Sequence, residues 1–371
     1  MKRILFMPFL QMSSGHHQVA NGIMDSLHET KDLFECEKTD ILSYSYGYIE
    51  VIISKFYIKM IHLFPNIYSW LYKKYAYKNE NKTRRFHLYE WMFLYWMDKL
   101  INEKNPHLII CTHALPSYLL NHLKQKGRIS VPVINIYTDY FINQLWGIQC
   151  IDYHFVPNGE IKENLIERGV NSNHVFVTGI PIHPQFKVHD EVDNHKSIKS
   201  VIISGGNLGT GLMKDFVKKI QPSGEIEYIV LCGENKKLFT WIKRLNNPLI
   251  QAVPYISSKE EMNRLYSKVD AIITKPGGVT VSECLFKKIP IFIYYQLPGQ
   301  EEINLLNLKR WGLVYHLESW RETTNYEEKI VQVLHCEKHQ KQLNKQLDNY
   351  HQHLSKENIS ELIERLLLRT P

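Results

Sequence analysis

An apolar run, Ala271-Ile272-Ile273, ends at Thr274-Lys275-Pro276 and runs into Gly277 and Gly278, with Glu283 five residues further on. Bare glycine backbone after a strand lets N–H groups approach a ligand, and a helix starting there offers free donors and a positive dipole end. Thr280, in the first turn, adds a hydroxyl to a phosphate contact, and Glu283, a turn deeper, can accept two hydrogen bonds from a vicinal diol. Diphosphate on the glycines with ribose on the carboxylate is one reading. A plain strand-to-helix turn with a solvated glutamate is the other. A second polar cluster opens the segment PGQEEINLLNLKRWG (298–312), where Gln300, Glu301 and Asn304 combine amide and carboxylate groups suited to a polyhydroxylated ring. A capped helix start explains the same residues. A third segment, VIISGGNLGTGLMKDF (201–216), places Gly205, Gly206 and Asn207 after another apolar run, but its glycines fit G-x-G-x-x-G poorly.

These segments need strands to end where they begin. Apolar stretches of four to eight residues alternate with longer amphipathic ones, the pattern of parallel α/β structure. One series predicts strands at Ile4–Phe9, Leu108–Thr112, Val133–Tyr137, His154–Val156 and Val175–Thr178. A second predicts Ser200–Ser204, Glu227–Leu231, Ile250–Val253, Ala271–Thr274 and Ile291–Tyr294. Between them the polar, proline-containing stretch 181–197 lacks periodicity and reads as a linker. The expectation is an N-terminal domain over 1–185, a linker at 186–197, a second domain over 198–350 and a terminal helix in 351–371. In that helix Ile359, Leu362, Ile363, Leu366 and Leu367 share a face.

The chain has 371 residues, 44% apolar and 22% charged, with net charge +7. That length accommodates two cores, and the balance argues against disorder. No apolar run approaches the roughly 18 residues of a membrane span. The N-terminal MKRILFMPFLQM lacks an A-x-A site and reads as a first strand. Six scattered cysteines without a C-x-x-C pair suit a reducing cytoplasm better than disulfides or zinc.

Taken together, T-K-P-G-G-x-T-x-x-E followed by P-G-Q-E-x-x-N resembles the C-terminal domain of the diacylglycerol glycosyltransferases. These are the bacterial processive glucosyltransferases and the plant monogalactosyldiacylglycerol synthases, more distantly related to the peptidoglycan N-acetylglucosaminyltransferase. The segments GHHQVA (15–20), VPVINIYTDY (131–140) and VFVTGIPIHPQF (175–186) match as well, and the resemblance is weakest over 40–105. It implies a GT-B fold of two facing Rossmann-like domains, with a nucleotide sugar in the second, an acceptor in the first and a cleft between them. It also implies inverting, metal-independent hexose transfer from a UDP-sugar substrate, with no cofactor. His16 occupies the family's catalytic histidine position, and Asp139 matches its T-D element, orienting the histidine or binding the acceptor. Lys275 belongs to the matched donor motif, and uracil is expected on the backbone near Val253, Tyr255 and Ile256. His17 matches no fixed family residue. Three departures bear on the acceptor: Ser13-Ser14-Gly15 in the N-terminal glycine loop, Gln11 for the common Asp or Asn, and His183 for an arginine.

Residues 44–97 are dense in Tyr, Trp and Phe, threaded by Lys73, Lys74, Lys78, Lys82, Arg84 and Arg85. Rings at headgroup depth with cations on anionic lipid suit an interfacial surface. Core packing and single-stranded nucleic-acid stacking compete for the same composition. The resemblance favours the inner leaflet of the cell membrane and no nucleic acid. The acceptor is then diacylglycerol or its glycosides. A soluble or secondary-metabolite acceptor, a non-catalytic nucleotide-sugar sensor and a GT-B epimerase are the alternatives.

Overall fold

The computed structural model describes residues 1–9, 14–29, 33–47, 69, 70, 72, 85–187, 198–206, 212–318, 320–322 and 326–369. The chain divides into two compact units: Met1–Pro184 with Pro298–Gln300 and the chain from His353 onward, and Gln185–Leu297 with Glu301–Gln352.

The first unit runs β1 (Lys2–Met7), α1 (Gly15–His28), β2 (Phe34–Lys38), α2 (Ile41–Tyr46), α3 (His87–Lys104), β3 (Leu108–Cys111), α4 (Ala114–Gln125), β4 (Val133–Ile136), β5 (Tyr153–Val156), α5 (Gly159–Glu167) and β6 (Val175–Val177). Its strands pair in parallel in the order β2-β1-β3-β4-β5-β6. The central strands, LIIC and VINI, are buried at every position, as a parallel sheet covered on both faces requires.

The second unit runs β7 (Lys199–Ser204), α6 (Met213–Lys218), β8 (Ile226–Leu231), α7 (Lys236–Arg244), β9 (Ile250–Val253), α8 (Lys259–Tyr266), β10 (Ala271–Thr274), α9 (Gly278–Phe286), β11 (Ile291–Ile293), α10 (Gln300–Arg310), β12 (Tyr315–His316), α11 (Tyr326–His335) and α12 (Glu337–Gln352). Its parallel strands lie in the order β12-β11-β10-β7-β8-β9. Phe216 anchors its core, against Tyr294, Trp320 and Tyr326 at ring-centroid distances of 4.8, 5.1 and 4.8 Å. The last helix, α13 (Ile359–Arg369), belongs to the first unit, where Lys2 Nζ donates to the Leu367 carbonyl at 2.7 Å. Its predicted apolar face is largely buried, with Leu362, Ile363, Leu366 and Leu367 no more than 4% exposed.

Each strand order has a point where successive connections turn in opposite directions: between β1 and β3 in the first unit, and between β7 and β10 in the second. In open α/β sheets ligands bind outside the carboxyl ends of the strands at that point. All ten expected strands form, most with ends shifted by one or two residues; the first is Lys2–Met7 rather than Ile4–Phe9. Two further strands carried no apolar run to reveal them. β2 reads FECEK and buries only Phe34, and β12 is two half-buried residues. Linker residues 188–197 lie outside the described residues.

Candidate active site

At the switch point of the first sheet, β1 and β3 run side by side with Met7 opposite Cys111. α1 begins just beyond β1 behind Ser14, an extended residue that makes no side-chain cap, and His16 is its second residue. The His16 Nδ1 lies 2.8 Å from the Thr112 carbonyl oxygen and 2.8 Å from Thr138 Oγ1. A carbonyl only accepts, so this partner assigns the proton of the neutral ring to Nδ1 and leaves the Nε2 lone pair as a base. Burial holds the His16 pKa below its ordinary value of 6.5, opposed by the Asp139 charge and the Thr112 bond. The ring is therefore neutral at pH 7. Asp139, half-buried beyond β4, is the charge that favours the protonated form of this ring.

His113 meets His16 edge-on at 4.7 Å and 82°, and stacks on Phe9 at 4.9 Å. Its Nδ1 accepts from the Leu115 N–H at 3.1 Å, capping α4. Burial, followed by the neighbouring His16 and His17, pushes its pKa well down. Thr112, His113 and Thr138 were not expected at the site. Of the three departures, His183 has a structural role: its Nε2 meets Asp25 Oδ2 at 2.9 Å, fastening the segment after β6 to α1. Gly22 of α1 makes room for that crossing, since a Cβ there would stand 3.2 Å from the His183 Cα. Gln11 and Ser13 lie outside the described residues.

In the second unit the switch point brings two of the three predicted loops together. β7 and β10 pair with Ile203 opposite Ile273, so the chain after Ser204 and the chain after Thr274 emerge side by side. Gly206 has φ +81°, and the Lys275 Cε and Nζ lie 3.9 and 4.0 Å from where its Cβ would be. A side chain at 206 would be strained in backbone, with its Cβ in ordinary van der Waals contact with that lysine. Lys275 Nζ also stands 3.4 Å from Glu301 Oε1, whose Oε2 accepts from the Leu297 N–H at 2.6 Å. Glu301 thus closes the turn before α10 and fixes the ammonium beside Gly206. Asn304 is 1% exposed, and its Nδ2 donates to the Pro276 carbonyl at 3.1 Å, bracing the glycine loop from α10. Gln300 is half-buried at the first position of α10. Asn207 lies outside the described residues.

Gly277 is the N-cap of α9 and provides no side-chain cap; a Cβ on it would meet no described atom within 4 Å. The first N–H groups of a helix have no intrahelical acceptor, and no side chain at the N-cap supplies one here. Thr280 is half-buried in the first turn. Glu283 is 5% exposed, which overturns the solvated-glutamate reading. Tyr266 OH donates to its Oε2 at 3.3 Å, and Lys259 Nζ stands 3.8 Å from its Oε1. Burial raises the Glu283 pKa to about 7, against the opposing pull of Lys259 and Tyr266. Val253 ends β9, with Tyr255 exposed and Ile256 half-buried beyond it. A cavity of about 650 Å³ lies at the opposite, amino ends of these strands, bordered by Lys199, Asp270 and Tyr315. It contains none of the predicted donor residues, and its Lys199 and Asp270 pair with each other at 3.1 Å.

Of the aromatic region, Phe93 and Met97 of α3 are buried in the first unit, while Leu88, Trp91 and Tyr95 are 71, 81 and 66% exposed along the helix. Trp70 is exposed as well, and residues 73–84 lie outside the described ones. Among the described residues no helix is long and apolar enough to cross a membrane.

The monogalactosyldiacylglycerol (MGDG) synthase family profile matches residues 16–182, which include His16 and Asp139. The chain is 43% identical to the uncharacterized glycosyltransferase YkoN of Bacillus subtilis (strain 168), over 99% of this chain and 98% of that one. It is 27% identical to a processive diacylglycerol beta-glucosyltransferase of Bacillus pumilus (strain SAFR-032), over 84% of this chain and 82% of the relative. The crystal structure of Acinetobacter baumannii MurG superposes with a TM-score of 0.64 at 13% identity, covering all of both chains, a likeness of fold. Two parallel Rossmann-like sheets of this kind constitute the GT-B architecture, and the chain belongs to the glycosyltransferase family of the monogalactosyldiacylglycerol synthases and processive diacylglycerol glucosyltransferases.

Proposed function

We propose that this protein is an inverting, metal-independent transferase that moves a hexose from a UDP-sugar to a lipid hydroxyl, of diacylglycerol or a glycosyl-diacylglycerol, at the inner face of the cell membrane. The observation that carries the reading is the His16 imidazole, whose Nδ1 is held by the Thr112 carbonyl, so that Nε2 is the nitrogen left to act as base. In the proposed reaction Nε2 takes the acceptor hydroxyl proton as that oxygen bonds to the anomeric carbon and the bond to the diphosphate breaks. Asp139 stabilises the resulting imidazolium. The leaving UDP carries its charge to the N–H groups at the start of α9, to the loop at Gly205 and Gly206, and to Lys275, so that fixed dipoles and one ammonium do the electrostatic work. Glu283 holds the ribose diol, Gln300 and Glu301 hold sugar hydroxyls, and the backbone at Val253–Ile256 receives uracil.

A lipid acceptor is supported by the name of the Bacillus pumilus relative and by α3. Leu88, Trp91 and Tyr95 lie at i, i+3 and i+7 on one outward face, an arrangement suited to an interfacial layer. In this reading the first unit binds acceptor and membrane and the second binds donor.

The test incubates purified protein with diacylglycerol liposomes and either UDP-glucose or UDP-galactose, and reads hexosyl-lipid by mass spectrometry. A product made by the wild type and not by His16→Ala supports the reading and identifies the donor. Donor consumption with no lipid product refutes the lipid acceptor.

A further inference from the structure

Glu283 is one of the most enclosed carboxyl groups in the second unit, and both side chains that meet its oxygens come from one neighbouring helix. α8 contributes Lys259, its first residue, and Tyr266, its last. Seven residues apart, they lie two turns apart on one face of the helix. Tyr266 takes Oε2 at 3.3 Å, whereas the Lys259 ammonium stands off Oε1 at 3.8 Å. At that distance it attracts the carboxylate without forming a close hydrogen bond, and a carboxylate that has accepted one bond retains capacity for two more. Phe186 completes the bracket. Its ring stacks on Tyr266 at 5.9 Å and 30°, and the Lys259 ammonium lies 6.0 Å from its centroid. The Lys259 side chain is 31% exposed against 7% for Glu283, so the cation stands toward water and the carboxylate behind it.

We propose that Lys259 is a positioning residue for donor recognition, keeping Glu283 ionised and oriented so that it can accept both hydroxyls of the nucleotide ribose. The inference rests on the assignment of Glu283 to the ribose. The other groups near Glu283 do not supply the charge. Cys284, next to it on α9, is a buried thiol whose ionisation Glu283 itself opposes. Lys287, one turn on, directs its ammonium to Asn263 Oδ1, Ser267 Oγ and the Lys187 carbonyl. Tyr266 is held far above its ordinary pKa by burial and stays protonated. Among the described residues Lys259 is therefore the one cation that opposes the burial of this carboxylate. Because that burial brings Glu283 to a pKa of about 7, loss of the ammonium matters most in the neutral range.

The test measures binding of UDP and of 2′-deoxy-UDP by titration calorimetry between pH 6 and 9. The ratio of the two affinities cancels the titration of the phosphate and reports the ribose hydroxyl alone. In the wild type the preference for UDP should rise with pH through a midpoint near 7, the value of Glu283. Lys259→Met should move that midpoint upward by about one pH unit or more, costing about fivefold or more in preference at pH 7 and little at pH 9, and Lys259→Arg should restore it. A Lys259→Met midpoint equal to the wild type, while Glu283→Gln abolishes the preference, overturns the role of Lys259 and keeps the ribose assignment. A preference unchanged in Glu283→Gln overturns the ribose assignment and the inference with it. Thermal melting of each variant without nucleotide separates misfolding from lost recognition, and Lys259→Arg binding like Lys259→Met despite a wild-type melt also counts against the proposal.

Discussion

His16 and Glu283 are both drawn by burial toward their neutral forms, with opposite consequences. For a base the neutral form is the working one. Since kcat reports the enzyme with donor bound, its acid limb should follow His16 and lie below pH 6.5, while donor affinity should already decline as the pH falls through about 7. His16→Ala should lower kcat by about 10²–10⁴, the usual contribution of a general base, in the lipid glycosylation assay. Glu283 is enclosed at a cost to the empty protein. Between about 4.5 and about 7 the unfolded chain gives up a proton that the folded chain keeps, so stability falls as pH rises through that window. The interval corresponds to on the order of 3 kcal/mol. Glu283→Gln should accordingly raise the melting temperature of the nucleotide-free protein at pH 8 and leave it little changed at pH 4.5, while weakening UDP binding.

The elements locate these side chains by making strands end where chemistry is needed. Asn304 shows the coupling, since one amide from α10 satisfies the buried Pro276 carbonyl of the glycine loop. Asn304→Ala should cost about 1–3 kcal/mol of stability by leaving that carbonyl unpaired, and should raise the donor KM. The outward face of α3 belongs to the same scale. Replacing Leu88, Trp91 and Tyr95 together by Ser should abolish sedimentation with anionic liposomes and change stability by no more than about 0.5 kcal/mol per site, as surface substitutions do. The loops were legible in the sequence because glycine, lysine and carboxylate follow an apolar run within ten residues. What surrounds His16 was not: Thr112 and Thr138 lie 96 and 122 positions away and meet it only because β1, β3 and β4 are neighbours in the sheet. Lys259 was hidden for a related reason, as the first residue of an otherwise unremarkable exposed helix. β2 escaped because an edge strand with one buried residue has no pattern to detect.

Across the whole molecule, neither unit is a single continuous piece of chain. α13 completes the first unit after the second has been built. Burial of Leu362, Ile363, Leu366 and Leu367 contributes roughly 1.5–3 kcal/mol for each side chain, an upper range comparable to the total stability of a domain. Truncation before residue 359 should therefore destabilise the first unit while the second still melts cooperatively, as two transitions in calorimetry. The same arrangement governs the order of synthesis. When Pro184 leaves the ribosome, α1 and β1 still lack the helix that closes over them, and at roughly 5–20 residues per second it arrives only after another ~10–40 s. A nascent chain of this protein thus exposes an unfinished apolar seam throughout translation of the second unit, and chaperone occupancy during that interval should be focused on α1.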